Sequence, residues 1–352
     1  MPNTKQQQLQ LHIDKDSKYP FLLRFCRRQD QTSSIYKLYS STSNEWYFVD
    51  APPELDQTLI HSSNYGWLLL SRGDKLFFFH PSTGNIIYLP DLRPFSDHNR
   101  ISFSAPPTSP DCVVFGLADA SWSESYVPIA VLRRGESFWT YKGFPNKTRL
   151  NHFNRKRNKA SNKRRGLRIR KTLCNLRPIP CNADFKWSNS ASAPVFHNGA
   201  FYCLDQCGRL GVFRPGDKNN KKKKEEKTWR LLDTRHSAFT SHVRNEGYLL
   251  RSRKGELMSI VVGPWGSSIK VLKFNEPRKL WQRATSLGDD VIFLSSTSCI
   301  AMSCQELGVK AGLENTIHFV RFHGRHNVFY SALNEQVPLV RAAAYIRKPA
   351  RY

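Results

Sequence analysis

GWLLLSRGDKLFFF, residues 66–79, sets the reading of the whole chain. Apolar residues fill 67–70, a polar turn centred on Gly73 follows, and a second apolar run begins at Leu76. Runs of four or five apolar residues broken by a glycine turn read as two strands of one hairpin, because glycine supplies the backbone conformation a tight turn demands. The same unit recurs as GAFYCLDQCGRLGVF at 199–213 and GYLLRSRKGELMSIV at 247–261, with a looser copy, GDDVIFLSSTSCIAM, at 288–302. The starts at 199, 247 and 288 lie 48 and 41 residues apart.

An all-β chain repeating at that period is expected to fold as a β-propeller, each blade a four-stranded sheet. Trp46, Trp139, Trp229 and Trp281 each begin or sit in a short apolar run suited to a late strand of a blade. A second strand–turn–strand, LFFFHPSTGNIIYLP at 76–90, has a partial echo in LGVFRPGD from Leu210, returning as TWRLL from Thr228. The lysine run between these last two strands then sits at a hairpin tip, where insertion leaves the ladder intact. The expectation is one all-β propeller over 19–346, of six to eight four-stranded blades. With two basic inserts removed, about 315 residues at about 45 per blade favour seven. Residues 1–18 read as a disordered leader and 347–352 as a tail. Short helical exceptions are expected at 6–11 and 305–307.

The net charge of +26 is unevenly spread. Residues 147–171 hold twelve lysines and arginines and no acid, and 218–227 hold six lysines against two glutamates, so 12 and 4 of the 26 excess charges lie in these two segments. The remaining +10 is mild for a body of this size, which argues against a dedicated polyanion-binding fold. An apolar fraction of 39% with 12% aromatics excludes global disorder. The N-terminus has no apolar core of a secretory signal, and the longest apolar runs are far shorter than a membrane span. The eight cysteines are therefore expected as reduced thiols in a soluble protein of nucleus or cytoplasm, and the sequon at Asn146 as unused.

The order and spacing of YGWLLLS (65–71), HPSTGNIIYLP (80–90), SPDCVVFGL (109–117), PVFHNGAFYCLDQCGRLGVF (194–213), SLGDDVIFLSSTSCIAMS (286–303), NTIHF (315–319) and VFYSALNEQVPLV (328–340) resemble the plant KIB-type propeller family. These propellers follow the F-box in many plant F-box proteins. The resemblance implies a platform that recognises a protein partner, which F-box members present for ubiquitination. Only about 18 residues precede Tyr19 here, without a leucine-rich helical pattern, so a ligase link is expected to require another subunit or to be lost.

The densest basic tract, RKRNKASNKRRGLRIRK at 155–171, has three readings. Arg155, Lys156 and Arg157, then Lys163, Arg164 and Arg165 after a five-residue gap, fit a bipartite signal for an import receptor. The same residues with Arg168, Arg170 and Lys171 fit non-specific binding to nucleic acid through counterion release. A solvated insert without a receptor is the third reading. No aromatic interrupts the tract, so base stacking within it is excluded. Trp122 and Trp265, each among small polar residues, are candidate anchors for a partner or packing residues between blades.

Cys174, Cys181, His197, Cys203 and Cys207 cluster without a C-x2-C knuckle, so buried thiols are expected rather than a metal site. The sequence contains no G-x-S-x-G, H-E-x-x-H or phosphate-cradling loop. Asp289 and Asp290 are adjacent carboxylates whose side chains diverge at the start of a strand. No cofactor is expected, and the function indicated is a non-enzymatic, monomeric platform for a protein partner.

Overall fold

A computed structural model of the chain describes residues 21–27, 34–40, 45–92, 100–118, 126–145, 187, 189–190, 192–216, 228–234, 236–239, 245–263, 268–295, 297–307, 314–319 and 328–331. Among them the fold is all β, apart from a single 3-10 turn at Pro53–Leu55. The first sheet has three antiparallel strands, β1 (Phe21–Arg27), β2 (Ser34–Ser40) and β3 (Glu45–Asp50). Four antiparallel four-stranded sheets follow in chain order. They are β4 (Leu59–Asn64), β5 (Trp67–Arg72), β6 (Lys75–Phe79) and β7 (Ile86–Tyr88); then β8 (Arg100–Phe103), β9 (Val113–Leu117), β10 (Tyr126–Arg133) and β11 (Thr140–Pro145). The next are β12 (Val195–His197), β13 (Ala200–Leu204), β14 (Leu210–Arg214) and β15 (Thr228–Leu232); then β16 (Glu246–Arg251), β17 (Leu257–Val262), β18 (Ile269–Asn275) and β19 (Leu280–Arg283). The last sheet, of β20 (Asp290–Leu294), β21 (Cys299–Ser303), β22 (Thr316–Phe319) and β23 (Val328–Ser331), has the order β21-β20-β22-β23, with β20 and β22 parallel.

The sheets stand as blades around an axis. Strands β4, β8, β12, β16 and β21 approach one another in sequence, and the Ser298 hydroxyl donates to the Ser63 carbonyl at 3.4 Å, linking the last sheet back to β4. Strands β5, β6, β9, β13, β14 and β17 are buried on both faces almost throughout, which explains why they read as unbroken apolar runs rather than as alternating ones. In β5 and β6, Trp67, Leu69, Leu76 and Phe78 join Ile101, Phe103 and Val114 of the next blade. Leu68, Leu70, Phe77 and Phe79 turn the other way, and Tyr36 of β2 packs there, its ring 6.1 Å edge-on from Phe79.

Two turns show why the sequence breaks where it does. Tyr65-Gly66 and Asn198-Gly199 both have two successive positive φ angles, 52° and 77° in the first and 47° and 72° in the second, the geometry of a two-residue hairpin loop whose twist matches the strands. The expected strand–turn–strand at 76–90 is β6 and β7, and the lysine run lies between β14 and β15. Trp229 and Trp281 are each the second residue of the outermost strand of their blade, Trp46 is the second residue of β3, and Trp139 directly precedes β11. The Trp139 indole N–H donates to the Pro90 carbonyl at 2.8 Å and that of Trp281 to the Gly208 carbonyl at 2.8 Å, so each bonds to the blade before its own.

Three expectations need correction. The described residues hold five four-stranded sheets and one of three strands, not seven four-stranded blades. The repeated hairpins are also not equivalent: 66–79 and 199–213 supply the second and third strands of their blades, whereas 247–261 supplies the first and second. Local apolar pattern fixes a hairpin but not its place in a sheet. Residues 304–307 form a turn with one Leu307 N–H to Ser303 carbonyl bond rather than a helix, and 6–11 lie outside the described residues.

Candidate protein-docking surface

Arg155, Lys156, Arg157, Lys163, Arg164, Arg165, Arg168, Arg170, Lys171, Trp122 and Trp265 all lie outside the described residues. What the structure places is the framework from which the basic segments depart, and it centres on the outer hairpin β10–β11.

In that hairpin, Tyr126 pairs with Pro145, Pro128 with Gly143 and Ala130 with Tyr141, so Tyr126, Tyr141 and Gly143 share one face. Deeper along this face Ala130 and Leu132 enter the core beside Trp139 and Phe103. Towards the rim the apolar surface continues into solvent: Tyr126 is 52% exposed and Tyr141 44%. Gly143 permits the arrangement, since the Tyr126 ring lies over its backbone at 3.7 Å from where a Cβ would stand. At the hairpin turn Phe138 is 83% exposed. Its neighbour Trp139 is buried and bonded to Pro90, which holds Phe138 outward.

One basic segment leaves from this hairpin and the other leaves the next blade beside it. Strand β11 ends at Pro145, two residues before Lys147, beside Tyr126. At the opposite end, the Arg133 guanidinium donates to the Pro215 carbonyl at 2.6 Å and also to the Gly216 carbonyl, the residue before the 217–227 lysine segment. The Arg133 main-chain N–H is in turn capped by the Glu136 carboxylate at 3.0 Å. Exposed Arg134 and Lys142 add positive charge along the same hairpin. The result is a strip of exposed aromatics with a cationic segment leaving from one end and another beginning beside the other end.

Other polar clusters are joints between or within blades. Asp205, almost wholly buried, accepts from the N–H groups of Cys207 at 2.8 Å and Arg209 at 2.7 Å and from the Arg209 guanidinium. Burial pushes its carboxyl upward while Arg209 opposes the shift. His197 meets the Glu276 carboxylate of the next blade at 2.8 Å. Arg253 reaches Glu306 at 3.0 Å and Asp290 at 3.6 Å across another joint. Asp290 starts β20 and is buried while Asp289 is exposed, so the two carboxylates diverge as expected. Burial drives the Cys203 thiol well up in the unbroken apolar strand β13, and Cys174 and Cys181 lie outside the described residues. Among the described residues, no group of three or more His, Cys, Asp and Glu is placed to hold a metal ion, and no helix is long and apolar enough to cross a membrane.

Tyr126, Phe138 and Tyr141 do not stand out in the sequence, because each abuts a run that reads as ordinary strand. The available signal was local: Phe138 and Trp139 are adjacent aromatics at a turn, so both cannot be buried by the same face.

Residues 38–334 match the model of the KIB1-4 beta-propeller family. Among similar proteins of Arabidopsis thaliana, an F-box/kelch-repeat protein is 26% identical over 324 residues, covering 91% of this chain and 75% of its own length. An F-box protein is 23% identical over 320 residues, covering 90% of this chain and 71% of its own length. A second F-box/kelch-repeat protein is 30% identical over 169 residues, covering 47% of this chain and 32% of its own.

Proposed function

The chain belongs to the KIB1-4 beta-propeller family, and from that premise we propose that it is a non-catalytic platform whose β10–β11 hairpin docks an acidic protein. One observation carries the reading: Tyr126, Phe138 and Tyr141 stand exposed on a single hairpin, with one cationic segment leaving from β11 and another beginning beside Arg133. Exposed tyrosine and phenylalanine offer large contact area at small entropic cost, the character of binding hot spots. Flanking lysines and arginines steer an acidic partner and speed its encounter without supplying most of the affinity. As its F-box-named relatives suggest, the bound protein is one presented to a ubiquitin ligase, with the ligase contact made by another subunit.

The test compares partner capture from plant extract by the intact chain, by Tyr126→Ala/Tyr141→Ala, and by a chain lacking 155–171. The double substitution is expected to abolish capture; the deletion is expected to slow association and weaken its salt dependence while capture persists. Equal capture by all three sinks the reading.

The twelve cations of 147–171 favour a second reading, polyanion binding in the nucleus. Affinity for nucleic acid would then fall linearly on a log–log salt plot and vanish on deletion of the tract. In the same reading Lys163, Arg164 and Arg165 serve nuclear import, and replacing them by Ala moves a fluorescent fusion to the cytoplasm.

A further inference from the structure

The turn between β10 and β11 carries a serine that neither the packing nor the docking strip uses. Residues 132–139 read LRRGESFW, with Arg134 three residues before Ser137 and Phe138 directly after it. The pattern Arg-x-x-Ser occurs three times in the chain, ending at Ser96, Ser137 and Ser286, and the last two lie among the described residues. They differ in what the fold leaves open. The Ser286 hydroxyl accepts from the Gly288 N–H at 2.9 Å, and the next residue, Leu287, is buried. Arg134, Ser137 and Phe138 are all exposed, and among the described residues no hydrogen bond engages the Ser137 hydroxyl or the main chain of 137–138.

The turn is nevertheless fixed on both sides. The Arg134 N–H donates to the Cys112 carbonyl at 2.9 Å and the Glu136 N–H to the Arg133 carbonyl at 3.0 Å, with Gly135 at a φ of 82° between them. The Glu136 carboxylate, next to Ser137, is drawn back onto the Arg133 N–H at 3.0 Å. On the other side, buried Trp139 is tied to the Pro90 carbonyl. What projects is a short arc, 134–138, with a guanidinium before an unengaged hydroxyl and a phenyl ring after it.

We propose that Ser137 is a phosphorylation site for an arginine-directed serine kinase and that the phosphate closes the docking strip; the second part rests on the docking function proposed for this hairpin. Such a kinase reads its substrate by charge and shape, with carboxylates for the guanidinium and an apolar pocket for the ring. The Ser137 Oγ attacks the γ-phosphorus of ATP, its proton passes to the kinase's catalytic carboxylate, the bond from phosphorus to the β,γ-bridging oxygen breaks, and ADP leaves. Residues 126–145 hold three cations, Arg133, Arg134 and Lys142, against one acid, Glu136, a net charge of +2. A phosphoserine brings about −1.5 to −2 at pH 7, which cancels that charge. It also sets a strongly hydrated anion beside Phe138. An acidic partner then meets like charge, and a group costly to desolvate, where it had met an apolar ring.

Phosphate mapping by mass spectrometry, on the native full chain incubated with ATP and a purified arginine-directed serine kinase, tests the site. Ser137 should be modified about tenfold faster than Ser286, and Arg134→Ala should slow its modification by about tenfold. A Ser137→Ala chain should take up no phosphate at this turn. Modification of Ser286 at an equal rate, or of Ser137 at a rate indifferent to Arg134, overturns the site. The switch is read separately, by capture from plant extract of the proteins that bind the intact chain but not Tyr126→Ala/Tyr141→Ala. Phosphorylation should cut that capture about tenfold. Undiminished capture by the phosphorylated chain overturns the switch. Equal capture by the unphosphorylated intact chain and the double variant is instead the failure of the docking function, which takes the switch with it and leaves the site to the mapping.

Discussion

Two joints of the ring solve one packing problem by different means. Between β12–β15 and β16–β19, where His197 also meets Glu276, the centre of the joint is built on shape around Gly208. Its carbonyl accepts from the Thr234 hydroxyl at 2.6 Å and the Trp281 indole at 2.8 Å. A Cβ on Gly208 would stand 2.3 Å from the Phe239 ring, and one on Gly247 2.8 Å from Leu204. Between β16–β19 and the last sheet, an apolar layer is supplemented by charge: Arg253 spans to Glu306 and to buried Asp290, and buried Asn315 takes the Leu287 N–H at 2.7 Å. The steric contacts around Gly208 are indifferent to pH and intolerant of a methyl group. A joint set by ions is tolerant of volume and responsive to pH.

The largest expected effect breaks the first joint. Gly208→Ala adds a methyl inside the Phe239 ring and imposes φ of 82° on a residue with a Cβ, so unfolding free energy in urea should fall by about 3–4 kcal/mol. A loss under 1 kcal/mol would mean the joint is loose. Next comes the last sheet's response to acid. His318 stacks on Phe293 at 5.0 Å, and burial lowers its pKa to about 4. Its stabilising contribution is full above the ordinary histidine value near 6.5 and is lost as pH falls through the folded value. Stability relative to His318→Gln should therefore decline by roughly 3 kcal/mol between pH 7 and pH 4.

Arg253→Met sharpens the contrast further. Burial holds the Asp290 carboxyl above its ordinary range and Arg253 opposes this, so removing the guanidinium raises it more. Because Arg253 is partly exposed, the expected cost at pH 7 is about 1–2 kcal/mol, discounted for screening. It should disappear below the carboxylate's unfolded pKa, where Asp290 is protonated in both states; a cost independent of pH would point to lost packing instead. Smallest is Trp281→Phe, which keeps the ring but removes one of the two donors to Gly208, at about 1 kcal/mol and without pH dependence.

Much of this architecture is legible in the chain. Glycine turns at 66, 73, 199 and 208 have the positive φ their spacing implies, and the lysine run sits between two strands at a hairpin tip. The rank of a hairpin within its blade is not legible, because the 247–261 copy has the same apolar pattern as 199–213 yet begins its sheet one strand earlier. Nor is the parallel pairing of β20 with β22, which depends on a crossing between residues far apart in sequence. The docking strip escaped for a related reason. Tyr126 and Tyr141 are strand residues by composition, and only the register opposite Pro145 and Ala130 places them together at the rim.

Photo-crosslinking distinguishes the docking strip from ordinary exposed surface most directly. Tyr126→p-benzoylphenylalanine and Tyr141→p-benzoylphenylalanine are compared with the same substitution at Tyr88, 60% exposed on a different blade. The β10–β11 positions should form adducts with one common acidic protein that Tyr88 does not capture. Adducts formed equally from all three positions, or from Tyr88 alone, would contradict the assignment of this hairpin as the docking surface.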